Sequence, residues 1–89
     1  MISKKITIIN KLGLHARAAA KLVSTTAAFR CQIRAGLSNR MVDAKSIMAV
    51  MMLAASKGTD LDLEFDGDDE LVAHDAVVAL INNRFGEAE

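Results

Sequence analysis

The segment DLDLEFD, residues 60–66, carries the clearest structural pattern in this chain, because acidic and apolar residues alternate along it. In an extended strand, Leu61, Leu63 and Phe65 lie on one side and the four acidic residues lie on the other. A sheet built around this strand is therefore predicted to have one face in water and the other covered by helices.

The remaining segments predict how that sheet is completed. Alternating and β-branched residues predict strands over residues 5–9, 31–35 and 41–44, and the spacing of apolar residues predicts three helices. The helices are expected at 16–29, between the cap Ser46 and Gly58, and from the acidic residues 68–70 to about Arg84. This order predicts an α+β open-faced sandwich (βαββαβα), with three helices on one face of a four-stranded, mainly antiparallel sheet.

Length and composition restrict the class of protein. Eighty-nine residues, 52% of them hydrophobic and none of them proline, are expected to form one domain over residues 1–89 rather than a disordered chain. Cys31 is the only cysteine, which excludes a disulfide within the chain and a multi-cysteine zinc site. The N-terminal segment has charges at positions 4, 5 and 11 and resembles no signal peptide, so we expect a cytoplasmic protein without membrane insertion.

Charge is divided unevenly along the chain. Residues 1–45 hold nine Lys/Arg against one Asp, and residues 46–89 hold two Lys/Arg against ten Asp/Glu, which gives +8 and −8. Such a basic segment could meet a nucleic acid or an acidic protein. Nucleic-acid recognition by a small α+β domain needs stacking aromatics on a strand face, where this chain offers only Phe65 among acids, so no nucleic-acid partner is predicted.

The segment GLHAR, residues 13–17, places His15 at the start of the first predicted helix. The backbone N–H groups of Ala16, Arg17 and Ala18 lack partners within the helix there, so an anion would be bound. The positive helix end disfavours an imidazolium, which leaves a neutral ring with a nitrogen free to attack phosphorus. The residues alone leave two alternatives open: His15 is a capping or surface residue, or it is a nucleophile whose added phosphate Arg17 binds.

GLHAR followed by small residues, together with KSIM at 45–48, resembles the HPr family of histidine phosphocarriers in the bacterial phosphoenolpyruvate-dependent sugar phosphotransferase system. The resemblance covers essentially the whole chain. It implies that His15 accepts a phosphoryl group from enzyme I, that Arg17 stabilises it, and that a sugar-specific enzyme IIA component receives it. It implies a carrier rather than a stand-alone enzyme, without cofactor or metal. Ala18 departs from the family, in which proline is usual, and we expect slightly more fraying there.

Ser46 has a structural and a regulatory interpretation. By its position it is an N-cap of the second helix. The family resemblance implies that the ATP-dependent HPr kinase/phosphorylase phosphorylates it, which would place about −1.5 to −2 charges beside a docking surface and block the approach of acidic enzyme I.

A docking surface is predicted on the first two helices. The resemblance points to Ile47, Met48 and Met51, and flexible methionines suit a surface that fits several partners, although core filling is the alternative. Ala20, Lys21 and Ser24 are predicted to belong to the same surface, and the basic residues Arg17, Lys21 and Lys45 to attract an acidic partner. We expect a monomer.

Two further predictions complete the interpretation. His74 is expected to face outward as a solvated residue, with no second ligand at metal spacing. The alternative to a sugar-uptake carrier is a regulatory interaction domain, including the nitrogen-related paralogous branch, in which phosphorylation selects partners. The KSIM serine segment favours the branch that the serine kinase controls.

Overall fold

The computed structural model describes residues 1–89. Four strands, three helices and a C-terminal 3-10 turn follow one another in the predicted order. Their bounds are β1 Ile2–Thr7, α1 Ala16–Thr26, β2 Gln32–Leu37, β3 Arg40–Asp43, α2 Ile47–Met52, β4 Asp60–Asp66, α3 Glu70–Asn82 and the turn Arg84–Gly86.

The strands form one sheet in the order β1-β4-β2-β3, and every neighbouring pair is antiparallel. The strand 60–66 keeps its predicted bounds and alternation: Leu61, Leu63 and Phe65 are buried, whereas the acidic side chains are exposed or half-buried. The helices pack against the apolar side through one cluster of 20 buried residues that joins all three of them to the sheet. The predicted open-faced sandwich is therefore confirmed.

Strand pairing brings the basic and acidic halves of the chain together. Lys5 lies opposite Asp62, with Nζ and Oδ1 3.7 Å apart, and Arg34 lies between Glu64 and Asp43 in the two registers of β2. The separation of +8 and −8 along the sequence thus does not persist in space on this face, because antiparallel pairing places β4 between two basic strands.

The first two helices end earlier than the apolar spacing predicts. α1 stops at Thr26 rather than Phe29, since Ala28 and Phe29 donate to carbonyls only three residues back, which tightens the last turn. α2 stops at Met52, because the next residues make the same short-range bonds and Ala54 has a positive φ of 52°. The prediction that this helix extends to Gly58 is therefore wrong.

The outer ends of the fold also differ from the prediction. β1 begins at Ile2 and ends at Thr7, although Ile8 remains buried and bonded to the loop before β4. α3 begins at Glu70 and ends at Asn82. His74 is half-buried rather than fully solvated: 22% of its side chain is exposed, and its ring lies edge-on to that of Phe65 with 5.5 Å between centroids.

Asp69 connects the start of α3 to the start of β2. Its two carboxylate oxygens accept the backbone N–H groups of Arg30 and Cys31 at 2.8 and 2.9 Å. The bond from Arg30 is the main reason that the pKa of Asp69 lies below its ordinary value of 3.8. Burial, followed by the nearby Asp69, raises the pKa of the Cys31 thiol, so this cysteine stays protonated.

Asp69→Asn is expected to destabilise the fold at neutral pH and to weaken its acid sensitivity. A carboxylate with a depressed folded-state pKa contributes fully above its unfolded value of 3.8 and loses that contribution as pH falls through the lower folded pKa. Urea unfolding between pH 7 and 2 measures the difference, with Asp68→Asn as the matched control because Asp68 is an exposed neighbouring acid. Parallel stability curves for Asp69→Asn and wild type would contradict the assignment.

Candidate phosphoryl-acceptor site

The loop before α1 is fixed by its close approach to the end of the α2 region. Gly13 has φ +65°, and a Cβ there would lie 2.4 Å from the carbonyl oxygen of Ala55. The next amide, that of Leu14, donates to the same oxygen at 2.8 Å. Only glycine fits this position, because it combines the left-handed conformation with backbone contact.

His15 is the N-cap of α1, with extended backbone angles of φ −74° and ψ 178°. Its carbonyl accepts the amide of Ala19 at 2.8 Å, whereas its side chain makes no capping bond. The N–H groups of Ala16, Arg17 and Ala18 occupy the first turn, where an α-helix has no internal acceptors for them. The backbone arrangement expected for binding an anion is therefore present, with the imidazole beside it.

The imidazole contacts an acidic residue that the sequence did not point to. Glu87 Oε2 lies 2.5 Å from His15 Nε2, and Glu87 Oε1 accepts from Asn10 Nδ2 at 3.0 Å. Asn10 is fully buried and also donates to the carbonyl of Gly13 at 2.8 Å, while its own Oδ1 has no partner. The bond from Asn10, and next the bond from His15, holds the pKa of Glu87 below its ordinary range.

An unusual turn brings Glu87 to this place. Arg84 and Phe85 both have left-handed backbone angles, with φ values of 57° and 55°, and Gly86 follows with φ 78°. Left-handed non-glycine residues cost on the order of 1–2 kcal/mol each, so other contacts of the turn must offset this free energy. Phe85 is fully buried, and its carbonyl accepts the ammonium of Lys21 at 2.6 Å.

The three predicted basic residues differ in their surroundings. Arg17 is exposed and lines the same shallow depression as His15 and Glu87. Lys21 and Lys45 are half-buried and donate to the carbonyls of Phe85 and Phe29, the latter at 2.7 Å. The structure thus gives the two lysines a local role at chain turns in addition to their charge.

Ser46 is the N-cap of α2, and its hydroxyl accepts the amide of Ala49 at 3.3 Å. The helix after it leaves much apolar surface in water: Ile47, Met48 and Met51 are 42%, 70% and 39% exposed. Simple core filling is therefore not their role. Two further apolar side chains that the prediction omitted are also exposed, those of Met52 and Leu12, and Ala20 and Ser24 are exposed on α1.

Glu87 and Asn10 could not be identified from sequence spacing. Glu87 is 72 residues from His15, and no motif connects the two. Asn10 lies in a segment that reads as an ordinary loop. The available signal was indirect: Phe85 is an aromatic residue followed by glycine beyond the last helix, a pattern that allows the chain to turn back.

Comparisons with known proteins agree with this geometry. The family model PTS-HPr, described as the PTS HPr component phosphorylation site, matches residues 2–83. The phosphocarrier protein HPr of Pseudomonas aeruginosa is 59% identical over the full length of both chains. The chain belongs to the HPr family.

Solved structures of HPr proteins have the same fold. HPr-C-His from Thermoanaerobacter tengcongensis superposes with a TM-score of 0.96 at 46% identity, with all of both chains covered. A structure described as an HPr dimer from the same organism gives 0.78 at 47% identity and covers 98% of this chain and all of the other. The expected monomeric state of this HPr-family chain stays a prediction.

The structure has neither a membrane-spanning helix nor a metal-binding cluster. None of its helices has the length and apolar character needed to cross a membrane. No three His, Cys, Asp or Glu side chains come together in a way that could bind a metal ion.

Proposed function

We propose that this protein is a phosphocarrier of the phosphoenolpyruvate-dependent phosphotransferase system, phosphorylated on His15 by enzyme I and dephosphorylated by sugar-specific enzyme IIA components. The observation that carries the proposal is the position of His15: a partly exposed imidazole at the N-terminus of an 11-residue helix, with Arg17 exposed beside it. Family membership supports the same chemistry.

The helix amides and Arg17 contribute different interactions with the phosphate. The amides of Ala16, Arg17 and Ala18 and the positive helix end stabilise the phosphate oxygens, and the Arg17 guanidinium adds charge-assisted bonds. The site is a shallow depression at the surface, lined by exposed Arg17 and Leu12, which suits transfer between two proteins. The carrier is then a substrate of its partners rather than a catalyst by itself.

Incubation of the purified chain with enzyme I and phosphoenolpyruvate tests the proposal. Intact-mass measurement should detect one added phosphate, which acid treatment removes because phosphohistidine is acid-labile. Addition of an enzyme IIA component should then discharge it. No mass gain with active enzyme I would overturn the proposal.

Partner docking is proposed on the apolar surface next to the site, formed by Leu12, Ile47, Met48, Met51 and Met52. These side chains are between 39% and 70% exposed, and methionine adapts to different partner shapes. Ala20, Lys21 and Ser24 on α1 border this surface in the proposal, and HPr kinase/phosphorylase is the proposed modifier of Ser46.

Ser46→Asp is expected to slow phosphoryl transfer from enzyme I by about tenfold or more, since a like charge at an interface costs more than about 1.4 kcal/mol. The fold should persist, because aspartate caps a helix as well as serine does. Ser46→Ala is the control: it loses the bond to Ala49 and about 1 kcal/mol of stability but adds no charge, so its transfer rate should stay near wild type. Equal rates for Ser46→Asp and wild type would exclude blocked docking.

A regulatory interaction domain is the second candidate function. Two predicted phosphorylation sites support it, because His15 and Ser46 both lie at helix starts and Ser46 directly precedes the exposed apolar residues of α2. Discharge of phospho-His15 by an enzyme IIA component would distinguish a transport carrier from a domain that only selects partners.

A further inference from the structure

The Glu87 carboxylate is held at both of its oxygens beside His15. Oε2 contacts His15 Nε2 at 2.5 Å and Oε1 accepts from Asn10 at 3.0 Å. Both members of the Glu87–His15 pair are largely shielded, with 15% and 27% of their side chains exposed. Asn10 is in turn fixed by its second bond, to the carbonyl of Gly13, so the carboxylate meets the ring in a defined orientation.

This contact determines which ring nitrogen carries hydrogen. An ionised carboxylate only accepts hydrogen bonds, so the nitrogen that faces it must be the donor. The depressed pKa of Glu87 keeps the group ionised at neutral pH. In the neutral imidazole, the hydrogen is therefore on Nε2 and the free electron pair is on Nδ1. The His15 side chain makes no capping bond that would occupy Nδ1.

We propose that Glu87, held by Asn10, is a positioning residue that keeps the hydrogen of His15 on Nε2 and so directs phosphorylation to Nδ1. This inference rests on the proposed phosphorylation of His15. It assigns a role in that function to Glu87, a residue of the segment after α3, which acts through the imidazole.

The transfer step balances with this assignment. The Nδ1 electron pair forms the P–N bond while the bond from phosphorus to the donor breaks, and its electron pair leaves with the donor. The Nε2 hydrogen stays in place, so the ring becomes cationic. Glu87 stabilises that charge through a charge-assisted hydrogen bond, as a carboxylate does behind a histidine nucleophile or base. Transfer of the phosphoryl group onward to the acceptor breaks the P–N bond and restores the neutral ring.

The tail is anchored independently of the Glu87 carboxylate. Phe85 is buried, Lys21 binds its carbonyl, and the Lys11 amide donates to the carbonyl of Glu89 at 2.7 Å. Glu87→Gln should therefore leave the tail in place. It removes the charge and replaces one carboxylate oxygen by an amide NH2 group, which is a donor, so the side chain no longer presents an acceptor oxygen to both Asn10 and His15.

The test combines NMR with kinetics. Long-range proton–nitrogen spectra of the ¹⁵N-histidine-labelled chain report the tautomer without any partner protein. Wild type should carry hydrogen on Nε2, and its phosphorylated form should carry phosphate on Nδ1. Glu87→Gln should shift the tautomer population toward hydrogen on Nδ1 and slow phosphorylation by enzyme I about tenfold or more.

Glu89→Gln is the matched control, because it removes the same charge two residues away, from a carboxylate that pairs with Lys11 at 3.4 Å. Its tautomer and transfer rate should equal those of wild type. Phosphorylation that proceeds with an unchanged tautomer or rate in Glu87→Gln, or with equal slowing in Glu89→Gln, would overturn the inference alone. No phosphate on wild type would overturn the proposed function and this inference with it.

Discussion

Replacing His15 with alanine is expected to abolish phosphorylation by enzyme I completely. The methyl group has no electron pair with which to form a bond to phosphorus, and no other nucleophilic side chain lies at the α1 N-terminus. The fold should persist, because the His15 side chain is partly exposed and its one hydrogen bond is to Glu87. Intact-mass measurement after incubation with enzyme I and phosphoenolpyruvate gives the result directly.

His74→Ala is the matched control for this experiment. His74 is the only other histidine, and it lies in α3 with its ring against Phe65 and its Nδ1 2.9 Å from Asp75. Its replacement should leave the acid-labile phosphate gain unchanged. An acid-labile phosphate that survives His15→Ala, or disappears in a folded His74→Ala variant, would contradict the assignment of the acceptor.

Gly13→Ala is expected to slow phosphorylation by about 100-fold, which is the cost of displacing a reacting group by about 1 Å. The added Cβ would overlap the Ala55 carbonyl oxygen, so the loop that carries His15 must move away from its anchor. Left-handed strain adds about 1–2 kcal/mol of destabilisation. Transfer kinetics and thermal unfolding of the same preparation separate the two effects.

Gly58→Ala provides the matched control. Gly58 also has a positive φ, +89°, but a Cβ there meets nothing within 4 Å. This variant should therefore show the conformational strain and keep its transfer rate. Similar slowing in both variants would mean that the contact between Gly13 and Ala55 does not position His15.

The contact between Gly13 and Ala55 has a consequence for docking. The amide of Leu14 donates to the carbonyl of Ala55, which follows α2, so backbone contacts join the loop that carries His15 to the segment after the methionine-bearing helix. In the proposed complex, a partner docked on Met48 and Met51 therefore meets His15 at a fixed distance. Backbone contacts hold geometry more rigidly than side chains do, since they involve no rotamers to order.

Several features of this protein follow from local sequence. The alternation of residues 60–66 predicted the central strand with its bounds, because period-two patterns reflect one buried face. Ser46 and the GLHAR segment marked two helix starts, since capping depends on neighbouring backbone groups. Boundaries were less accurate: α2 is six residues long because Ala54 turns left-handed, and no turn signal in the sequence precedes Gly58.

Local sequence patterns do not predict contacts between distant segments. The bond from Glu87 to His15 spans 72 residues, and those from Asp69 to Arg30 and Cys31 span 39 and 38. Likewise, Lys5 and Arg34 of the basic half lie opposite acidic residues of β4 only because β4 pairs with both β1 and β2. Such effects depend on topology, which local propensity does not encode.

The sequence by itself determined the fold class and the place of the histidine, because hydrophobic period and helix capping act within a few residues. Only the tertiary structure decided what surrounds the imidazole. A buried Phe85, two left-handed residues and a buried Asn10 bring the tail carboxylate to Nε2. Packing of remote segments sets that contact, and with it the nitrogen that remains free.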